Sequence, residues 1–522
     1  MNKPNVRENK RLALQRHLDD AKTQEERNKL GQFATPPALA RDIIVYSSNL
    51  LSPQARITFL DPAIGTGAFY SAFREIIGEN RIARATGYEV DSHYGLPARK
   101  LWRGTALKIV LDDFTKAEPP TKKEERFNLI VCNPPYVRHH HLCTADKVYL
   151  RDAAKRYCGI EINGLAGFYC YFLCLSHRWM TDCGLGVWLI PSEFMDVNYG
   201  AGLKRYLLQK VTLLRIHRFD AREVQFEDAM VSSAILCFRK EAPPVNHEIN
   251  FTLGGTLLEP KISVSVKSEG LKAEEKWSRL FRKEPRASEN GVTLSDYFTI
   301  KRGIATGGNG FFIMPRDKIE EFKLPWECFC PVLPSPRFLD EDEVKSDANG
   351  NPLVNKELFL LRCRLPEEKL RLAYPCLHRY LMSGRAEVAK RYLCRHRRPW
   401  YGQEVRPPAP FLCTYMGRTG TKRGRPFRFI LNNSNATATN VYLLLYPKKN
   451  LRRAIGQGRG LIRKVWKILN ALQPEDLLEN GRFYGGGLHK LEPRELGRVP
   501  APELLTVTPV SLKATGKQMC LF

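Results

Sequence analysis

Short apolar runs alternate with amphipathic stretches from Ile57 to Phe238, and this alternation limits the fold more than any other property of the chain. Runs at 57–60, 85–88, 107–111, 127–132, 186–190, 211–219 and 231–238 have strand length and strand composition. Helical patterns separate several of them: Leu39, Ile43 and Ile44 share a face, as do Phe73 and Ile77, and 163–180 reads as one long buried helix. Alternating strands and helices predict an α/β architecture, a Rossmann-like doubly wound seven-stranded sheet ending near Lys240.

In such sheets ligands sit beyond the carboxyl ends of the strands. The fourth run, Phe127 to Cys132, leads directly into Asn133-Pro134-Pro135-Tyr136. Two prolines end the ladder because neither has an N–H to donate. An amide, a fixed carbonyl and an aromatic ring are thereby offered on a stiff turn. The Asn133 oxygen and the Pro134 carbonyl can each accept one hydrogen of a planar amino group, and Tyr136 can stack on its ring.

Other strand ends carry matching features. After the first comes Asp61-Pro62-Ala63-Ile64-Gly65-Thr66-Gly67, whose glycines allow close approach of a ligand to the backbone. The second ends in Glu89, placed to bind a ribose hydroxyl pair. The third ends in Asp112-Asp113-Phe114, an acceptor for an adenine amine beside a ring. In that order the three suit a nucleoside cofactor. Upstream, 4–29 reads as a charged helix with Leu12, Leu14 and Leu18 on one side. Gly31-Gln32-Phe33-Ala34-Thr35-Pro36 follows, with Thr35 as a helix cap and proline in the first turn.

The net charge of +27, from 82 Lys+Arg against 55 Asp+Glu, points to a polyanionic partner, nucleic acid before membrane. Its distribution supports this: Glu404 is the only acid between Lys390 and Lys467, a stretch in which Tyr392, Trp400, Tyr401, Phe411, Tyr415 and Phe427 lie among the cations. Fourteen scattered cysteines read as thiols of a reducing compartment. Neither Cys328 and Cys330 nor His139 to His141 has metal-ligand spacing, so no metal is expected. No signal peptide or membrane span is visible. The residues divide into a domain over 1–240, a linker or extension over 241–291, and a mixed α+β domain over 292–522.

These motifs, in this order, resemble the gamma class of amino DNA methyltransferases, which methylate adenine N6. The resemblance rests on Gly31 to Pro36, Asp61 to Phe69, Glu89, Asp113-Phe114 and Asn133 to Tyr136, and it covers residues 29 to about 240 well. More loosely, Lys301 to Phe312 and Phe483 to Lys490 with Pro493 look like the opening and closing segments of target-recognition domains in restriction-modification methylases.

The resemblance implies S-adenosylmethionine as cofactor, with Thr35 and Pro36 near its methionine end and Asp61, Pro62, Ala63, Gly65 and Gly67 along the methionine side. Glu89 would bind the ribose; Asp113 and Phe114 would hold the adenine, with Pro135 packed nearby. Asn133, Pro134, Pro135 and Tyr136 would be catalytic, with Tyr136 and Phe226 on the two faces of a flipped adenine. The partner would be double-stranded DNA, in the cytosol or nucleoid of a prokaryote, alongside a companion restriction endonuclease acting separately. Alternatives are an RNA adenine or protein glutamine substrate, or a catalytically silent DNA-recognition subunit. A nuclease-like Glu343-Val344-Lys345 after Asp340 is a weak coincidence in an acidic loop.

Overall fold

The computed structural model describes residues 6–137, 142–220, 232–281, 291–418, 425–458, 460–484 and 488–508. They fall into two compact units, Met1–Pro285 with Phe483–Gly487, and Arg286–Arg482 with Leu488–Phe522.

The first unit is built on a nine-stranded sheet. Its first seven strands are β1 (Ile57–Asp61), β2 (Ile82–Tyr88), β3 (Leu107–Val110), β4 (Phe127–Cys132), β5 (Met180–Pro191), β6 (Thr212–Arg218) and β7 (Ser233–Arg239). They lie in the order β3-β2-β1-β4-β5-β7-β6. All neighbours are parallel as far as β5, and β7 runs antiparallel to both β5 and β6. The strand order reverses between β1 and β4, which pair through Leu60 and Ile130. Asp61 and Asn133 therefore emerge side by side at the point where open sheets bind ligands.

The sheet is covered on both faces, which is why its strands read as nearly continuous apolar runs. Leu129 and Val131 of β4 pack with α3 (Pro37–Leu50) and α4 (Ala68–Ile77). Ile130 and Cys132 face the other way, toward α7 (Phe168–Ser176) and α8 (Ala201–Gln209). The stretch expected as one helix over 163–180 is shorter: α7 ends at Ser176, and Met180 already belongs to β5. The apolar run continues unbroken across that boundary, so hydrophobicity alone does not separate buried helix from buried strand.

The sheet does not stop at Lys240. Glu248–Gly255 (β8) runs parallel to β6, and Pro260–Lys267 (β9) closes the edge antiparallel to it. Phe251 of β8 is covered by Trp277 and Phe281. The first half of the stretch read as linker and extension is thus an extension of the sheet. Its polar composition reflects an edge strand with one wet face.

The second unit is mixed α+β. A five-stranded sheet runs Phe298–Arg302, Tyr442–Pro447, Phe411–Thr414, Phe429–Asn432 and Glu343–Val344. A four-stranded sheet includes Phe329–Leu333 and Phe359–Leu361, with Ile319, Leu377 and Tyr401 in the core beside it. No described helix is long and apolar enough to cross a membrane.

Ile130 is fully buried between β1 and β5. Ile130→Ala is expected to cost about 2–5 kcal/mol, the range for truncating a buried aliphatic side chain. A urea titration followed by circular dichroism should show an earlier transition for the first unit only; an unshifted curve would remove β4 from the core.

Candidate active site

The turn after β1 is fixed by two acids, Asp61 buried and Glu89 half-buried. Ala63 N–H donates to Asp61 Oδ1 at 3.1 Å. Gly65 N–H donates to Glu89 Oε2 and Asp91 N–H to Glu89 Oε1, both at 2.9 Å. One carboxylate at the end of β2 thereby ties the glycine turn to its own strand. Gly65 and Gly67 have φ of +54° and +91°, where a β-carbon is strained. At Gly67 a Cβ would also stand 2.6 Å from Trp102 Nε1, whereas at Gly65 it would meet nothing within 4 Å. The turn is closed on one side and open on the other. Burial, with the nearby Glu89 charge adding to it, pushes the Asp61 carboxyl up to about 8; burial also raises Glu89. Pro62 is buried and Ala63 half-buried in this turn.

Past β3, Asp112 is exposed and Asp113 half-buried. Asp113 Oδ1 accepts from both the backbone and the hydroxyl of Thr115, and its Oδ2 lies 3.7 Å from Lys116 Nζ. Asp112 Oδ1 accepts the Asp113 N–H. Phe114 is 2% exposed, within ring contact of Tyr88, Phe172 and Trp179. Its ring supports this strand end from beneath.

Asn133 is held by the N-terminal motif. Its Nδ2 donates to the Phe33 carbonyl at 3.0 Å and to Thr35 Oγ1 at 3.1 Å. A carbonyl can only accept, so Phe33 decides which way the amide faces. Oδ1 is left buried without a hydrogen-bond partner among the described residues. Thr35 does not cap α3 as expected: Pro36 occupies that position and no side chain caps the helix. The hydroxyl instead turns to Asn133. Pro134 is buried and Pro135 half-buried. Gly31 sits against the turn at φ +66°, where a Cβ would come 2.4 Å from the Tyr136 nitrogen, and Tyr136 N–H donates to the Gly31 carbonyl at 3.1 Å.

Tyr136 is 9% exposed and belongs to the core cluster of α3 and α4. Its hydroxyl donates to the Leu189 carbonyl at 3.3 Å, and Phe33 lies 5.7 Å away, ring to ring. The ring is anchored at its far end and largely enclosed. Phe226 lies outside the described residues.

Sequence reasoning missed the part played by the N-terminal arm. The single helix expected over 4–29 is two, α1 (Val6–Asp20) and α2 (Gln24–Leu30), the second opened by a Thr23–Glu26 capping box. α1 reaches the strand-end turns, as do Lys22 and Gln32 on either side of α2. Arg11 is 1% exposed; it pairs with Glu8 and donates to Thr66 Oγ1, which in turn donates to Gln15. Asp91 Oδ2 receives Lys22 Nζ at 2.5 Å and Gln32 Nε2 at 2.8 Å. Burial opposes the Asp91 charge, yet those two donors hold its carboxyl below the usual range. Asp91 directly follows the strand-end acid, and Gln32 lies inside the motif ending at Thr35. Those positions were the only signal available. Leu12 and Leu14 are half-buried and Leu18 is buried.

Among the described residues no group of His, Cys, Asp and Glu could hold a metal ion. Glu343 is engaged by Arg463 and Asn433.

Two outcomes follow from this geometry. Asp61 and Glu89 have raised carboxyl pKa values, so the folded state holds their protons at a pH where the unfolded chain releases them. Their contribution to stability therefore declines as pH rises above the ordinary carboxylate range, for Asp61 up to about 8. Asp61→Asn keeps the acceptor for Ala63 and should flatten that decline in thermal melts across the range; an unchanged slope would mean that Asp61 is ionised in the fold. Gln32→Ala should lower turnover more than cofactor affinity, because Gln32 adjoins the Phe33 carbonyl that orients Asn133. Equal losses in both would make the arm a general support.

The chain is similar to known proteins over most of its length. Residues 93–225 match the family "Eco57I restriction-modification methylase", and 275–519 match "Type II methyltransferase M.Eco57I, C-terminal domain". Type II methyltransferase M.XamI of Xanthomonas campestris pv. amaranthicola is 29% identical over 495 residues, covering 91% of this chain and 86% of that protein. Type II methyltransferase M.AccI of Acinetobacter calcoaceticus is 26% identical over 505 residues, covering 93% and 88%. The Type IIL restriction-modification enzyme MmeI, solved in complex with DNA, aligns over 84% of this chain and 61% of its own at 12% identity and a TM-score of 0.48, too low to add weight. Matches to both halves, and relatives aligned over nearly the whole length, lead to one conclusion: the chain is similar throughout to the methyltransferases of restriction-modification systems.

Proposed function

We propose that this enzyme transfers a methyl group from S-adenosylmethionine to the N6 amine of an adenine flipped out of double-stranded DNA. The observation that carries the reading is Asn133: its amide nitrogen is committed to Phe33 and Thr35, and its oxygen is buried without a partner. A buried acceptor left unsatisfied costs about 1–3 kcal/mol, so its retention argues for a donor that arrives with substrate.

The residues present fit the cofactor. Gly65 leaves room beside the turn, and the carboxyl groups of buried Asp61 and of half-buried Glu89 and Asp113 offer acceptors for its amino, ribose and adenine groups in strand order. Thr35 and Pro36 border the same strand ends through Asn133. When bound, S-adenosylmethionine supplies a methyl group on a positively charged sulfur, already electrophilic. The protein's task is then to improve the nucleophile. The lone pair of an aromatic amine is delocalised into its ring. Asn133 Oδ1 and the Pro134 carbonyl each accept one amine hydrogen, which favours pyramidal nitrogen and holds it in line. Inside a duplex that amine is out of reach, so the base must leave the stack.

Tyr136 is proposed as one stacking face, with its angle set by the hydroxyl bond to Leu189. Phe226 is proposed as the other. The high net charge and the basic run from Lys390 support DNA as partner and residues 292–522 as the recognition domain. Every described cysteine is a free thiol, which supports a reducing cytoplasm. A separate restriction endonuclease would be the companion.

The test is methyl transfer from labelled cofactor to DNA, RNA and protein in parallel, followed by nucleoside analysis of the product. N6-methyladenine in duplex DNA is expected. N4-methylcytosine would overturn the choice of base, label in RNA or protein the choice of substrate, and no transfer at all would leave a silent recognition subunit. Asn133→Ala should lower transfer by on the order of 10²–10³, as for loss of one preorganised hydrogen bond at a reacting centre, with calorimetric cofactor affinity retained. Near wild-type transfer would remove Asn133 from the mechanism. Tyr136→Phe keeps the ring and should retain most activity. Tyr136→Ala truncates a core side chain and should also cost about 3–5 kcal/mol of stability.

A further inference from the structure

The glycine-rich segment Ala305–Asn309 in the second unit is knotted to a basic segment some ninety positions later. Arg397 donates to the Thr306 carbonyl and, through its other nitrogen, to the Ala305 carbonyl, each at 2.6 Å. Arg391 reaches the Gly307 carbonyl at 3.4 Å. Gly307 has φ of +83°, and a Cβ there would stand 2.9 Å from Cys394 Sγ. Only glycine lets the two segments close this tightly. Two arginines are thus spent on holding the turn, which fixes the backbone from which their neighbours project.

Those neighbours are Lys390, Arg395 and Arg398, all exposed. Among the described residues none of the three makes an ion pair. Some exposed arginines of this unit are answered by acids, Arg316 by Glu357, Arg385 by Glu367 and Arg463 by Glu343; Lys390, Arg395 and Arg398 are not. Beside them Tyr392 is 68% exposed, with His396 4.5 Å away ring to ring and Arg395 over its face at 5.4 Å. Of the aromatics in the basic stretch, Tyr401, Phe411, Tyr415 and Phe427 are buried, as a core requires; Tyr392 is not.

We infer that this knot is a grip for the phosphate backbone of duplex DNA, with Lys390 and Arg395 on phosphates and Tyr392 packed against a sugar or base face. Clustered cations without counter-charges on a rigid base suit a polyanion of fixed spacing. An exposed aromatic held by a neighbouring cation suits the flat surface of a nucleoside. The inference rests on the DNA-methyltransferase reading and adds a location to it.

The two kinds of contact respond differently to salt. Each phosphate neutralised contributes about 0.9 to the slope of log affinity against log salt, so Lys390→Gln with Arg395→Gln in the full chain should flatten that slope by roughly 2. Arg391 and Arg397 stay in place, so the turn should keep its fold, checked by an unchanged melting temperature. Tyr392→Ala should weaken binding by roughly tenfold at every salt concentration without altering the slope, and Tyr392→Phe should restore it. Binding is read by fluorescence anisotropy with a duplex that the wild-type enzyme methylates. An unchanged slope in the double variant overturns the inference, as does a slope lost instead on replacing Lys448, Lys449 and Arg453, exposed cations elsewhere in the unit. If the wild-type enzyme methylates no duplex, the functional reading itself fails, which is a separate result.

Discussion

The amide of Asn133 is the contact on which the rest of the site depends. Its nitrogen has two acceptors on the N-terminal arm, so its oxygen can point only one way. A loose asparagine would rotate and satisfy itself. This one is prevented from doing so by a carbonyl, which cannot change roles, and by prolines that remove the backbone's freedom on the other side. Electrostatic preorganisation here is a matter of covalent stiffness and hydrogen-bond bookkeeping, arranged before any substrate arrives.

The glycine turn relies on a costlier device. Asp61 is fully buried and Glu89 largely so, and burial drives both toward the protonated form. Glu89 offsets part of that cost through two backbone N–H groups. In a free protein such acids are a source of strain. Beside a ligand bearing a positive sulfur and several hydroxyl and amino hydrogens, the same acids find charge and donors. The instability and the affinity have one origin.

Most of the first unit was legible because its signals are local. Strands covered on both faces are apolar throughout, and each strand end carries its chemistry within a few residues. What remained hidden depends on contacts between distant segments. Thr35 reads as a helix cap until Asn133 is seen to claim its hydroxyl. Arg11 is one charge among many in α1 until Thr66 is placed against it. Tyr136 reads as an open stacking ring, yet its hydroxyl reaches Leu189 and the core closes around it. The edge strands β8 and β9 were hidden for a different reason: an edge with one wet face has too little apolar sequence to stand out from a linker.

The arm that orients Asn133 is made well before its partners. Phe33 waits for a residue one hundred positions downstream, and Gln32 for one fifty-nine downstream. A ribosome adding about 5–20 residues per second keeps these donors and acceptors without partners for several seconds. The arm can therefore close in two stages, its Gln32 contact once β2 and Asp91 are in place and its Phe33 contact only after β4 has delivered Asn133. A chain that stops before the proline turn has its glycine loop but lacks the amide that the arm is built to hold.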